Sequence, residues 1–350
     1  MRRGFIGAGV GLGLAVAGLS GACAQEPLTL ECAQRLAGQR ITIAVPNAAG
    51  GGFDIYARSL APELERISGA AVRISNMPGG GGKAALLRVA DAAPDDYAIL
   101  IENAGDVASE LLQDAALGHQ PADLRALGAV HVEPETWLGR ADLDLMDPAE
   151  TPLIASVSSV EANLATIGLV AQATGHKVQF ISGYEGSGDQ IAAVLRGETD
   201  FSSKSLGTAL QQMKSGDLRV ALVLADGPDP ALPGVPWLAG DGGLVAQRSA
   251  GLTPQDRAER AHIAQLAVEL SAGARVLLIS SRMRAEAQGC LVEATEAALL
   301  SAGFRDAAEA QGRPVTPLGA VEAEALYTAK ISAYTEAAPL LDVIAQQVRP

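Results

Sequence analysis

A two-lobed α/β fold, each lobe a mixed sheet flanked by helices, is what this sequence predicts, and three observations predict it. A strand, a glycine turn and a helix follow one another in residues 41–64, and similar strand–helix alternation recurs along the chain. At 350 residues the chain is longer than one hydrophobic core usually organises. Its 48% hydrophobic content is rich in alanine while aromatics make up only 3%, so the core is Ala, Val and Leu carried on many helices.

The first residues are not part of that fold. Arg2 and Arg3 form a basic start, residues 5–19 are apolar and glycine-rich, and Ala22-Cys23-Ala24 is an A-x-A cleavage site. This pattern is a cleavable secretory signal over residues 1–24, too short and too rich in glycine for a membrane span. The paired arginines before a weakly hydrophobic stretch also suit twin-arginine export. Cys23 does not make a lipoprotein signal, because Ser20 stands where an apolar residue is wanted three positions earlier. The expected address is the periplasm. Loss of Arg2 and Arg3 takes the net charge from −14 to −16, which argues against nucleic acid or an anionic membrane as partner.

The first strand is 40–45, where Ile41, Ile43 and Val45 alternate. Pro46 stops the pairing, Gly50, Gly51 and Gly52 make the turn, and 53–67 has helical spacing. Strands at 72–75 and 99–102, with a helix at 82–92, complete the first unit. The chain is then expected to cross. Strands at 127–131, 153–156, 177–181 and 199–203, with helices at 162–174, 188–196 and 207–215, are assigned to a second sheet. Residues 218–224 are expected to return to the first lobe. Thr253 is the N-cap of a helix, 275–280 is a strand, and two or three helices finish the chain. The expected lobes are therefore 25–104 with 222–350, and 105–221. In such sheets ligands bind beyond the carboxyl ends of the strands, where helix N-termini present unpaired N–H groups.

Cys32 and Cys290 are the two cysteines left after cleavage. An even pair in an oxidising compartment is expected to bond, the alternative being two separate buried thiols. Catalytic and metal patterns are missing from the sequence. Pro78 to Ala84 looks superficially like a phosphate loop, but Met77 and Ala84 stand where its first glycine and its hydroxyl belong. There is no G-x-S-x-G, and His119, His131, His176 and His262 fall at no zinc spacing. No enzyme activity, metal or cofactor is expected.

The segments VPNAAGGGFDIYAR, Asn76-Met77-Pro78-Gly79-Gly80-Gly81-Gly82 and Ala93-Pro94-Asp95-Asp96-Tyr97 come in that order. They are followed by Gly183-Tyr184-Glu185-Gly186-Ser187, Arg196-Gly197-Glu198-Thr199-Asp200 and Pro230-Ala231-Leu232-Pro233-Gly234-Val235-Pro236. Order and spacing together resemble the substrate-binding proteins of tripartite tricarboxylate transporters, the Bug family, over residues 41–236. The resemblance implies a type II-like periplasmic binding protein clamshell, monomeric, that holds a small organic acid between its lobes. It would pass that acid to transporter permease subunits, or alternatively present it to a sensor. An α/β enzyme is the remaining alternative.

The family's first-lobe ligand loop falls on Asn47, Ala48, Ala49, Gly50, Gly51, Gly52 and Phe53, with Asp54 as helix cap. Phe53 stands where a small or polar residue is usual and is expected to stack on the solute or to enter the core. Glu102, Asn103 and Ala104 stand in place of the family's Gly-Ser-Ser, which sets an acid beside the pocket and favours a mono- or dicarboxylate over citrate. In the second lobe the expected ligand residues are Ser156, Ser158, Ser159, Tyr184, Gly186, Ser187 and Lys204. Lys204 falls where the family usually has aspartate, and is the expected positive charge for a ligand carboxylate.

Overall fold

The computed structural model describes residues 28–78, 80–145, 151–160, 163–184 and 186–348. The expected signal segment 1–24, Gly79 and Glu185 lie outside the described residues. Helix α1 (Leu30–Leu36) leads into β1 (Arg40–Val45), α2 (Gly52–Ser68), β2 (Ala71–Asn76), α3 (Lys83–Ala90), β3 (Tyr97–Asn103) and α4 (Ala104–Gln113). Then come β4 (Leu124–Glu133), β5 (Glu135–Arg140), β6 (Leu153–Ser156), a π-helical turn at Leu164–Gly168 and α5 (Leu169–Thr174). β7 (Val178–Ile181), α6 (Ser187–Leu195), β8 (Phe201–Ser205), α7 (Leu206–Gln212) and β9 (Leu218–Val223) follow. The last part holds α8 (Leu244–Arg248), α9 (Pro254–Ser271), β10 (Gly273–Ser280), α10 (Ala285–Leu299), α11 (Ala302–Ala310) and α12 (Ala320–Val348).

Two five-stranded mixed sheets result, with orders β2-β1-β3-β10-β4 and β7-β6-β8-β5-β9. In the first, β10 runs antiparallel to β3 and β4; in the second, β5 runs antiparallel to β8 and β9. The inner strands are buried on both faces, as parallel strands covered by helices must be. In β1, Ile41, Ile43 and Val45 pack into the layer under α2, α10 and α11, while Ala44 faces the layer under α3 and α4. Cys32 of α1 and Cys290 of α10 form a disulfide with a Cα–Cα distance of 4.8 Å.

Two strand assignments are corrected. Residues 127–131, expected in the second sheet, lie in β4 of the first, paired with β10. Residues 218–224, expected to return to the first lobe, supply β9 of the second, paired with β5. β5 itself was not anticipated. The chain changes sheet at Pro134, which has no N–H to extend a ladder and whose carbonyl accepts from Leu206 N at 3.0 Å. It changes back between α9, whose apolar face is in the second core, and β10. The strands therefore do not divide at residues 105 and 222.

α12 ties the sheets together. Its Ala323 and Tyr327 belong to a first-sheet layer, while Ala333, Tyr334, Ala337, Leu341 and Ile344 join Trp137 and Phe201 in the second core. Among the described residues, no helix is long and apolar enough to cross a membrane.

Candidate functional site

The carboxyl ends of the two sheets meet. Glu133 ends β4 and accepts the Gly207 N–H of α7 at 2.6 Å, and Arg275 near the start of β10 reaches Ser205 Oγ at the end of β8 at 3.2 Å. This is where open α/β sheets place their ligands. A separate cavity of about 620 Å³, lined in part by Arg40, Arg73, Arg88 and Asp96, lies at the opposite, amino ends of β1–β3. There Arg88 and Asp96 are already paired at 2.8 Å.

The loop after β1 leaves Asn47, Ala48, Ala49 and Gly50 exposed. Gly50 has φ +87°, a left-handed conformation that suits glycine, and its N–H donates to Asp54 Oδ2 at 2.8 Å. Asn76 Nδ2 donates to the Asn47 carbonyl and to Asp54 Oδ1, both at 3.0 Å. Asp54 is buried and also accepts from Arg58 Nε at 2.8 Å. Burial pushes its carboxyl up, but the hydrogen bonds from Arg58, Gly50 and Asn76 outweigh this and hold it below the usual carboxylate range. Asp54 thus shapes the loop. It does not cap the helix: the N-cap of α2 is Gly51, with no side-chain bond. The first-turn N–H groups of Gly52 and Phe53 have no intrahelical acceptor, so the end of α2 is a ready anion site.

Phe53 is half-buried against the first core, with the Arg275 guanidinium 5.6 Å from its ring centre and 5.3 Å from that of Tyr56. At the end of β3, Asn103 caps α4 by accepting from Gly105 N at 3.0 Å, and Ala104 is buried. Glu102 Oε1 accepts the Asn103 N–H at 2.9 Å. Its Oε2 sits 3.2 Å from where a Cβ on Gly82 would be, and Gly82 has φ +107°; glycine there permits the approach. Burial, then the charge of Asp106, pushes the Glu102 carboxyl well up.

In the second lobe, Ser156 is fully buried and its hydroxyl donates to the carbonyls of Gln190 and Phe201 at 3.2 and 3.3 Å. Ser158 is exposed, its carbonyl accepting from Gly183 N at 3.2 Å, and the Ser159 carbonyl accepts from Asn163 Nδ2 at 2.9 Å. Tyr184 is half-buried. Gly186 is the N-cap of α6 without a side-chain bond, and Ser187 is its exposed first residue, so a second uncapped helix end lies in this lobe. Lys204 is buried at 6% exposure, and its ammonium donates to Gln190 Oε1, to Ser202 Oγ at 2.8 Å and to the Ser203 carbonyl at 2.7 Å. All three of its donors are committed. Burial pulls its charge down and the Glu135 carboxylate opposes that.

Sequence reasoning missed four residues here: Glu133, Arg275, Thr208 and Arg313. Glu133 pairs with Arg275 as well as with Gly207. Burial pushes its carboxyl up, but His131, Arg275 and the Gly207 N–H together hold it at about 2. A lone arginine inside the apolar run of β10, every residue of which is buried, was a legible sign of a buried ion pair. Arg313, from the turn between α11 and α12, had no such sign. Among the described residues no group of three or more His, Cys, Asp and Glu could hold a metal ion.

The family described as tripartite tricarboxylate transporter family receptor has a model that matches residues 56–261. A UPF0065 protein from the TAR-I ttuE-ttuC' intergenic region of Agrobacterium vitis is 29% identical over 58% of this chain and 61% of its own length. Protein BugT of Bordetella pertussis is 25% identical over 57% of this chain and 64% of its own. The matches thus span less than two thirds of either relative. Among solved structures, periplasmic binding protein BugD aligns with a TM-score of 0.65 and 21% identity, over 87% of this chain and 98% of that one. MatC of Rhodopseudomonas palustris with bound malate aligns at 0.62 and 22%, over 87% and 99%. Another R. palustris protein, with adipate, aligns at 0.66 and 19%, over 87% and 97%. At these identities the structures speak for the fold, two mixed sheets flanked by helices.

Proposed function

The chain belongs to the tripartite tricarboxylate transporter receptor family, and on that premise we propose that it is a periplasmic solute-binding protein. It captures a small carboxylate-containing solute between its sheets for uptake by a tripartite transporter. The observation that carries this reading is the open N-terminus of α2: glycines at 50–52, no side-chain cap, and a position just after the carboxyl end of β1. A carboxylate there takes the place that a capping side chain would fill. The loop Asn47–Phe53 forms the first-lobe half of the pocket, and Ser158, Ser159, Tyr184 and the α6 end at Gly186 and Ser187 the second. Malate and adipate in structural relatives agree with a small acid. The working form is a monomer, with residues 1–24 removed on export.

A thermal-shift screen of dicarboxylates, aromatic acids and amino acids tests the reading. Ligand at about 100 times its dissociation constant adds roughly 2.7 kcal/mol to stability. At least one acid should raise the melting temperature and be recovered unchanged. Stabilisation by neutral sugars alone would overturn the ligand class, and turnover of the stabilising compound would overturn the binding role.

A further inference from the structure

Arg313 is the cation beside the α2 N-terminus that carries no ion pair among the described residues. Its guanidinium carbon and Nη1 lie 3.8 Å, and its Nη2 3.9 Å, from where a Cβ on Gly52 would be, so the group sits over the first residue of α2. Among the described residues the one hydrogen bond of its side chain is long, 3.4 Å from Nη1 to Thr208 Oγ1, and its buried Nε has no partner. The neighbouring Arg275 has Glu133 and Ser205; among the described residues no carboxylate pairs directly with Arg313, and the Glu133 charge acts on it only from farther off. Burial, and then the charge of Arg275, press against its charged form, and the charges of Tyr56 and Glu133 offset this only in part. Two guanidinium groups and a helix N-terminus, all positive, are thus gathered, and one of the three has no direct ion pair among the described residues.

The turn that delivers Arg313 is fixed from both sides. Tyr56 Oη of α2 donates to the Pro314 carbonyl at 2.6 Å, and Gln211 Nε2 of α7 donates to the Gly312 carbonyl at 2.7 Å. Thr208 and Gln211 both come from α7 of the second sheet, whereas α2 belongs to the first. The surroundings of Arg313 are therefore complete only while the two sheets are close together.

We infer that Arg313 is a specificity-determining residue: its guanidinium, with the Gly52 and Phe53 N–H groups, takes up a solute carboxylate, and Thr208 holds it in place when the lobes close. The inference rests on the proposed binding role and adds to it a side-chain counter-charge and a preference for the ionised acid over its amide. A carboxylate would fill the unpaired face of the guanidinium with a charge-assisted pair, worth more than a bond to a neutral group. It would also bridge α2 to the turn that α7 grips, so that binding and closure reinforce each other.

The test uses the mature chain and its Arg313→Gln and Arg313→Lys variants, with malate, adipate, nicotinate and the corresponding amides, followed by calorimetry. The parent should bind at least one of the acids and discriminate against its amide. Arg313→Gln should lose affinity for that acid about ten- to hundredfold and lose the discrimination, while Arg313→Lys keeps part of both. Equal acid affinity in parent and Arg313→Gln overturns the assignment while the binding role stands. Failure of every acid on the parent overturns the binding role and this inference together. If neither variant folds, Arg313 is a structural residue and the assignment falls.

Discussion

Lys204 shows how much one residue's role depends on what surrounds it. From sequence it is the expected counter-charge for the solute, a role in which its removal would weaken binding and leave the free protein unchanged. In the structure its three donors serve Gln190, Ser202 and Ser203 inside the second lobe. Lys204→Ala should therefore lower the unfolding free energy by roughly 1–3 kcal/mol, because buried acceptors lose their partner. Urea denaturation measures this, and an unchanged midpoint would return Lys204 to the role of free ligand charge. Glu102 is the contrary case. Its acid side chain was foreseen, but not its close approach to Gly82, whose left-handed φ favours glycine.

At the level of elements, α2 is the part most legible in sequence: apolar spacing and glycine entry fall where the structure has them, while the left-handed Gly69 that ends the helix was not read from the sequence. What holds α2 in place was legible in part, through the expected cysteine pair. Its partner α10 is tied to α1 by Cys32–Cys290, a bond that closes a sequence separation of 258 residues. Loss of a native disulfide typically costs about 2–5 kcal/mol. Cys290→Ser should melt at lower temperature than the parent. Because α10 supports the helix whose end is proposed to form the pocket, solute affinity should fall with it. Melting scans with and without reductant check the first effect: reductant should lower the parent's melting temperature to that of the variant and leave the variant unmoved.

For the whole molecule, the junction of the sheets predicts a pH dependence. Glu133 titrates near 2 in the folded protein, below the ordinary glutamate value, so it binds fewer protons folded than unfolded. Its contribution is fully present above about 4.5 and is lost as the pH falls through about 2. Because its carboxylate holds the Gly207 N–H across the junction, and also Arg275, which itself reaches Ser205 of the second sheet, that loss should also part the sheets. Glu102 acts in the opposite sense: raised well above its ordinary value, it favours the protonated form, and its stabilisation is lost as the pH rises from about 4.5 through the folded value. Stability should peak on the acid side of neutrality. Melting temperature against pH, with scattering to follow the radius of gyration, checks this. Glu133→Gln should flatten the acid limb, and a parent limb that the substitution leaves unchanged would show that Glu133 does not govern it.

The sequence by itself determined what is local. The alternation of β1, the glycine turn, the α2 helix and the Thr253 cap follow from propensities and spacings a few residues long, and the order of short segments carried the family resemblance. The pairing of β4 with β10 and of β9 with β5, and the sheet change at Pro134, were decided by tertiary structure alone. An apolar strand satisfies either sheet equally, and only the long-range register distinguishes them. The charges at the junction fall under the same limit. Arg275 and Glu133 are 142 residues apart, and Arg313 and Thr208 are 105 apart. Which cation has a direct ion pair and which does not depends on side chains brought together only when both sheets have formed.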